Sequence, residues 1–135
     1  EFPHGFTAGG HPVGCAIALK AIDVIINEGL LENVKQVSPY FMERLNEFNE
    51  YPNIGETRGI GLMAALEMVK DKKNKIPFDG NLNMGDKVAN KSIDNGLICR
   101  PLGPAIVLCP QFIINRSQID EIFDNLHKTI KDIFN

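Results

Sequence analysis

An excess of positive charge is the first thing this 135-residue sequence lacks: 14 lysines and arginines stand against 17 aspartates and glutamates, a net charge of −3 at pH 7. Nucleic-acid and anionic-membrane partners want a basic face, so neither is expected. Long apolar runs are missing too, and nothing approaches the roughly 18 uninterrupted apolar residues of a membrane span. The opening EFPHGFTAGGHP has no basic region followed by an apolar stretch, so it is not read as a signal peptide. It also lacks an initiator methionine and begins inside a motif, which suggests a piece of a longer or processed chain.

Cysteine is scarce and odd in number. Cys15, Cys99 and Cys109 form no C-x-x-C pair and show no zinc spacing. They sit in apolar runs, so buried free thiols in a reducing cytoplasm are expected. His4 and His11 lie in a loop, with no carboxylate at ligand spacing, and His127 is far along the chain. No metal centre is expected. No serine or cysteine stands in a nucleophile setting such as G-x-S-x-G, and no Gly-Lys-Ser/Thr follows the early glycines as a P-loop would require.

What is present is ordinary globular material: 44% hydrophobic and 23% charged residues, in a chain long enough to bury one core. After a loop over Glu1 to Gly10, a helix is predicted from Pro12, with Cys15, Leu19, Ile22 and Ile26 at helical spacing and Gly29 as its stop. A second helix is expected from about Leu31 to Phe48, with Val34, Phe41, Leu45 and Phe48 on one face. Pro39 inside it implies a kink or a restart capped by Ser38. Thr57 to Val69 reads as one strand, Lys70 to Asn83 as a polar surface excursion, and Gly85 to Asn95 as a short helix stopped by Gly96. Leu97–Arg100 and Ala105–Leu108 read as two strands joined by Pro101–Pro104. A last helix begins near Asn115, with Gln118 as reciprocal capping partner and a stripe of Ile119, Ile122, Phe123, Leu126, Ile130 and Ile133. The sum is an α+β layer domain, a short β-sheet packed against helices.

Three places carry candidate chemistry. Phe6-Thr7-Ala8-Gly9-Gly10-His11-Pro12 combines a hydroxyl, close-approach glycines and a helix start. Those are the parts of an anion site, or of a glycine turn that merely enters a helix. Arg100 ends an apolar strand before Pro101 and Gly103. It can present its fork to a carboxylate, or simply cover apolar neighbours with its stem. Arg58, in Thr57-Arg58-Gly59-Ile60-Gly61, reads as structural: an arginine bonding nearby carbonyls, beside glycines where the strand is crowded.

Four stretches in order resemble one family. F-x-H-G-F-T-x-x-G-H-P-V-x-C-A-x-A-L over Phe2 to Leu19, Arg58-Gly59-Ile60-Gly61-Leu62, Gly96–Arg100 with Ile106–Pro110, and I-x-x-x-x-I-D-E-I over Ile114 to Ile122 are similar to the C-terminal part of class III aminotransferases. The resemblance implies the small C-terminal domain of a fold-type-I enzyme dependent on pyridoxal 5'-phosphate (PLP). Residues 1–12 would be a cofactor-phosphate loop at the large-domain interface, and residues 12–30 the connecting helix. The lysine that carries the cofactor and the aspartate that pairs with its ring nitrogen would lie in a preceding large domain, leaving no catalytic residue here. The fragment alone would bind no PLP.

By the same resemblance, Thr7 reaches the cofactor phosphate of the partner subunit in a homodimer. The family's 4-aminobutyrate-type enzymes carry a carboxylate-binding arginine where this chain has Val107. Its amine:pyruvate-type members carry one in the preceding strand, as Arg100 and Gly103 do here; Gln111 departs from a usual proline. The implied reaction is ping-pong transfer of an amino group from an amine or ω-amino acid to a keto acid such as pyruvate, in the cytoplasm. Alternatives are an aminomutase or decarboxylase on the same fold, or a non-catalytic interaction module.

Overall fold

A computed structural model describes residue 5 and residues 7–134 of the chain. The expectations resting on residues 1–4 and Phe6, including the start of the first motif and His4, lie outside the described residues. The element order is α1 (Pro12–Asn27), α2 (Leu30–Asn46), β1 (Ile54–Ile60), β2 (Met63–Met68), α3 (Met84–Asp94), β3 (Arg100–Leu102), β4 (Ala105–Leu108) and α4 (Arg116–Phe134). Single 3-10 turns cover Glu47–Glu50 and Gly80–Leu82. Among the described residues no helix is long and apolar enough to cross a membrane.

The four strands form one antiparallel sheet in the order β1-β2-β4-β3. Alternation gives it two unlike faces. Ala64, Leu66 and Met68 of β2 and Ile106 and Leu108 of β4 are buried, and they pair as Ala64 with Leu108 and Leu66 with Ile106. On this face pack Phe41, Leu45 and Phe48 from α2 and its 3-10 turn, Val88 from α3, and Ile119, Phe123, Leu126 and Ile130 from α4. Phe41 and Phe123 meet with ring centroids 5.1 Å apart. The opposite face is open, with Ile60 and Met63 exposed.

The stretch expected as one strand from Thr57 to Val69 is a hairpin. β1 turns back on itself at Gly61, whose φ of 60° is readily reached only without a Cβ. A periodicity of two continues across a tight turn, so the pattern alone did not reveal the reversal. At Gly59 a Cβ would stand 2.7 Å from the Met63 carbonyl oxygen, which is the crowding expected there.

Pro39 neither breaks nor restarts α2, which runs continuously through it. Ser38 does not cap; its hydroxyl donates to the Val34 carbonyl one turn back. Strand β3 begins at Arg100 rather than Leu97, because the Leu97 amide is used to close α3, donating to the Ser92 carbonyl at 2.8 Å. The α4 cap forms as expected. The Gln118 amide donates to Asn115 Oδ1 at 3.0 Å, and the Asn115 amide donates to Gln118 Oε1 at 3.1 Å.

The buried-thiol expectation fails for two of three cysteines: Cys15 and Cys109 are exposed and only Cys99 is partly covered. Cys15 lies on α1, which has no buried residue at all although Val13, Ile17, Leu19, Ile22 and Ile26 are all large and apolar.

Candidate functional site

Register brings the two sequence-predicted arginines onto one row. Arg58 of β1 pairs with Ala65 of β2, Ala65 with Val107 of β4, and Val107 with Arg100 of β3. Directly paired residues of antiparallel strands project to the same side of the sheet. Arg58 and Arg100 therefore share the open face, with two small or mid-sized apolar residues between them. Three strand spacings separate them, about 14 Å.

Their electrostatic surroundings differ. Arg58 is held by Glu67 at 2.8 Å and Glu56 at 3.3 Å. The hydrogen bond that its guanidinium donates to Glu67 raises its pKa further, and partial burial opposes that. It binds carboxylates rather than the carbonyls expected from sequence, and its charge is already answered. Arg100 is exposed and makes no ion pair among the described residues. Beside it an open hollow of about 370 Å³ is lined by Ile98, Cys99, Val107, Cys109 and Pro110. A free planar fork at the lip of an apolar hollow is suited to bind one carboxylate and leave an uncharged group inside. Burial pushes the Cys99 thiol pKa up, with a partial offset from the Ser92 hydroxyl 3.5 Å away. At neutral pH Cys99 is therefore an apolar wall rather than a nucleophile.

Thr7 lies on a separate element, in the turn of residues 7–10 that leads into α1, and is exposed. The turn is closed by the His11 amide donating to the Ala8 carbonyl at 3.2 Å, and Gly10 has φ 77°. Nothing caps α1 with a side chain and its first turn holds no acidic residue. Its first amides are thus open to an anion, with the helix dipole in favour. A Cβ on Gly10 or on Gly14 would meet none of the described atoms within 4 Å, so the helix start is uncrowded there. The parts fit one edge of a phosphate. Among the described residues no hydrogen bond links this turn to the Arg100 strand.

Sequence reasoning passed over His127 except as a metal candidate. Its ring stacks on Phe48 at 3.9 Å, with Nδ1 2.9 Å from the Tyr51 hydroxyl and Nε2 3.0 Å from Glu47. It ties α4 to the end of α2. Among the described residues no group of three His, Cys, Asp or Glu side chains is placed to hold a metal ion. Gly85 and the sharing of one row by Arg58 and Arg100 also went unread, since both depend on register and on contacts distant in sequence.

The one-faced sheet and its helical backing define an α+β domain whose open side carries an exposed arginine without an ion pair among the described residues. A family model described as "Aminotransferase class-III" matches residues 1–130. The chain belongs to the class III aminotransferase family. It is 40% identical over 131 residues to a putrescine--pyruvate aminotransferase of Pseudomonas aeruginosa, covering 96% of this chain and 28% of that protein. It superposes on the ω-transferase of Vibrio fluvialis with a TM-score of 0.90 at 63% identity, covering 99% of this chain and 32% of the other. An ω-aminotransferase of Paracoccus denitrificans gives a TM-score of 0.91 at 60% identity, with 99% and 30% covered. The chain thus spans under a third of the relatives it matches.

Proposed function

We propose that this chain is the C-terminal portion of a PLP-dependent ω-aminotransferase, moving an amino group from an amine or ω-amino acid to a keto acid such as pyruvate. Residues 1–12 serve as the phosphate loop at the interface of a homodimer, residues 12–30 as the connecting helix, and the remainder as the small domain beside the substrate. The whole enzyme works in the cytoplasm. When bound, PLP supplies the electron sink that the side chains lack. Supporting this, the solved structures that the chain resembles include a PLP-bound aminotransferase of Vibrio fluvialis and a transaminase with L-Ala.

The tasks left to this chain are binding and orientation. Thr7 donates its hydroxyl to the phosphate, joined by the open amides of α1. Arg100 receives the carboxylate of the acceptor as a bidentate partner, which fixes the keto carbon relative to the rest of the site. Val107, opposite Arg100, keeps the neighbouring position apolar and leaves a single cation there.

The observation that carries this reading is the contrast between Arg58, neutralised by two glutamates, and Arg100, unpaired on the same row. In the full-length enzyme, Arg100→Ala should slow the pyruvate half-reaction by one to two orders of magnitude, about 1.5–3 kcal/mol for a charged hydrogen bond. The half-reaction with an amine lacking a carboxylate should keep most of its rate, and Arg100→Lys should recover only part of the loss. Single-turnover kinetics followed at the cofactor absorbance separate the two; equal losses in both halves would assign Arg100 to holding the domain together. Alanine formation by the full-length protein separates a transaminase from an aminomutase, a decarboxylase or a binding module.

A further inference from the structure

We propose that Gly85 is a positioning residue for Arg100, acting through the turn between β3 and β4. The inference rests on the carboxylate role proposed above for Arg100. That turn is gripped from two sides. On one, the Met68 amide donates to the Pro104 carbonyl at 3.0 Å, carrying the β2–β4 ladder one residue further. On the other, the first turn of α3 lies directly on the Gly103–Ala105 backbone. A Cβ on Gly85 would stand 2.2 Å from the Gly103 carbonyl oxygen and 3.4 Å from that of Ala105. Backbone cannot yield as a flexible side-chain tip would, so only glycine lets α3 sit at this depth.

Gly85 and Gly103 are glycines for different reasons. Gly85 is buried and its φ is not among the positive ones, so its requirement is space. Gly103 has φ 57° and open surroundings, so its requirement is conformation.

Arg100 opens β3, three residues before Gly103, and β3 is an edge strand paired only with β4. Among the described residues no second strand holds its outer side. Helix α3 packs along both β3 and β4, so the height of the hairpin is set by how closely α3 approaches its turn. A guanidinium fork must meet a carboxylate in plane, and a misplacement on the order of 1 Å can cost a hundredfold.

The test uses the full-length enzyme with pyruvate as acceptor and an amine without a carboxylate as donor. Gly85→Ala should raise the acceptor KM about tenfold while the donor KM and kcat at saturation stay within about twofold. Gly103→Asn, which tolerates left-handed backbone and adds atoms to open space, should leave both KM values within about twofold. Equal losses for donor and acceptor in Gly85→Ala, or none, overturn the proposal. Arg100→Ala measured alongside keeps the two readings apart. If it spares the acceptor KM, the carboxylate role fails and the positioning role with it. If it raises that KM and Gly85→Ala does not, only the positioning role fails. Should Gly85→Ala give no folded enzyme, hydrogen exchange at the Met68 amide of the unaltered enzyme decides. Pyruvate should slow it about threefold or more if turn and arginine are coupled, by reciprocity of the two equilibria. Unchanged exchange overturns the coupling.

Discussion

Two arginines on one face of one sheet have opposite availability, and the difference lies entirely in their neighbours. Glu67 follows Ala65 by two residues, so it stands on the same face as Arg58 and reaches it, while Glu56 does so from two residues earlier in β1. Around Arg100 the same-face positions are Leu102 on its own strand, Val107 opposite and Ala105 diagonally across, none of them acidic. At this scale Thr7 carries its own prediction. A hydroxyl donating to a phosphate dianion contributes roughly 1.5–3 kcal/mol, so Thr7→Ala in the complete dimer should weaken PLP retention about ten- to a hundredfold. The ratio of substrate rates should barely move, because the hydroxyl sits on a different element from Arg100. Cofactor release followed by absorbance is the measurement, and an unchanged dissociation constant would falsify the role.

Among the elements, those with local signals were legible beforehand. Pro12 and Gly29 bracket α1 and the beginning of α2, Gly96 follows the end of α3, and Asn115 with Gln118 opens α4, all within a residue or two of expectation. Each signal is a property of three or four adjacent residues. The Asn115–Gln118 pair satisfies two amides that would otherwise be orphaned at the helix start. Asn115→Ala should therefore lower stability by about 1 kcal/mol, seen as a lower denaturant midpoint with an unchanged slope. No loss would mean that water or another group serves those amides equally well. Where expectation failed, the deciding partner was distant. Gly61 became a hairpin turn because β1 and β2 pair, and β3 shortened because the Leu97 amide closes α3. The helix stayed whole at Pro39 because Val37, Phe41 and Leu45 hold both of its halves on the sheet.

For the molecule as a whole, α1 is the feature out of balance. Helices of a globular domain usually bury an apolar stripe, yet no α1 residue is fully buried, Val24 and Ile25 are only partly covered, and Ile17, Leu19 and Ile26 each expose over 60% of their surface. Contiguous apolar surface of that kind drives association. This 135-residue chain in isolation is expected to self-associate or to be poorly soluble, its mass by light scattering rising with concentration. A clean monomer over a wide concentration range would contradict the expectation. The relatives are more than three times as long as the chain, so the proposed full enzyme has further surface against which α1 could pack. The exposed Cys15 belongs to the same account: its apolar sequence neighbours suggested burial, but burial needs a surface to pack against.

Reading along the chain was enough for the family, the α+β class, the helix limits and the candidates Thr7 and Arg100, since these depend on residue types at short spacing. It read Arg58 as structural but did not find the two glutamates that hold it, nor did it assign Gly85 a task. Both follow from strand register and from the depth at which α3 meets a turn some 18 residues further on. Hydrogen bonds and excluded volume act between atoms that only folding brings within reach, and no pattern of adjacent residues encodes that distance.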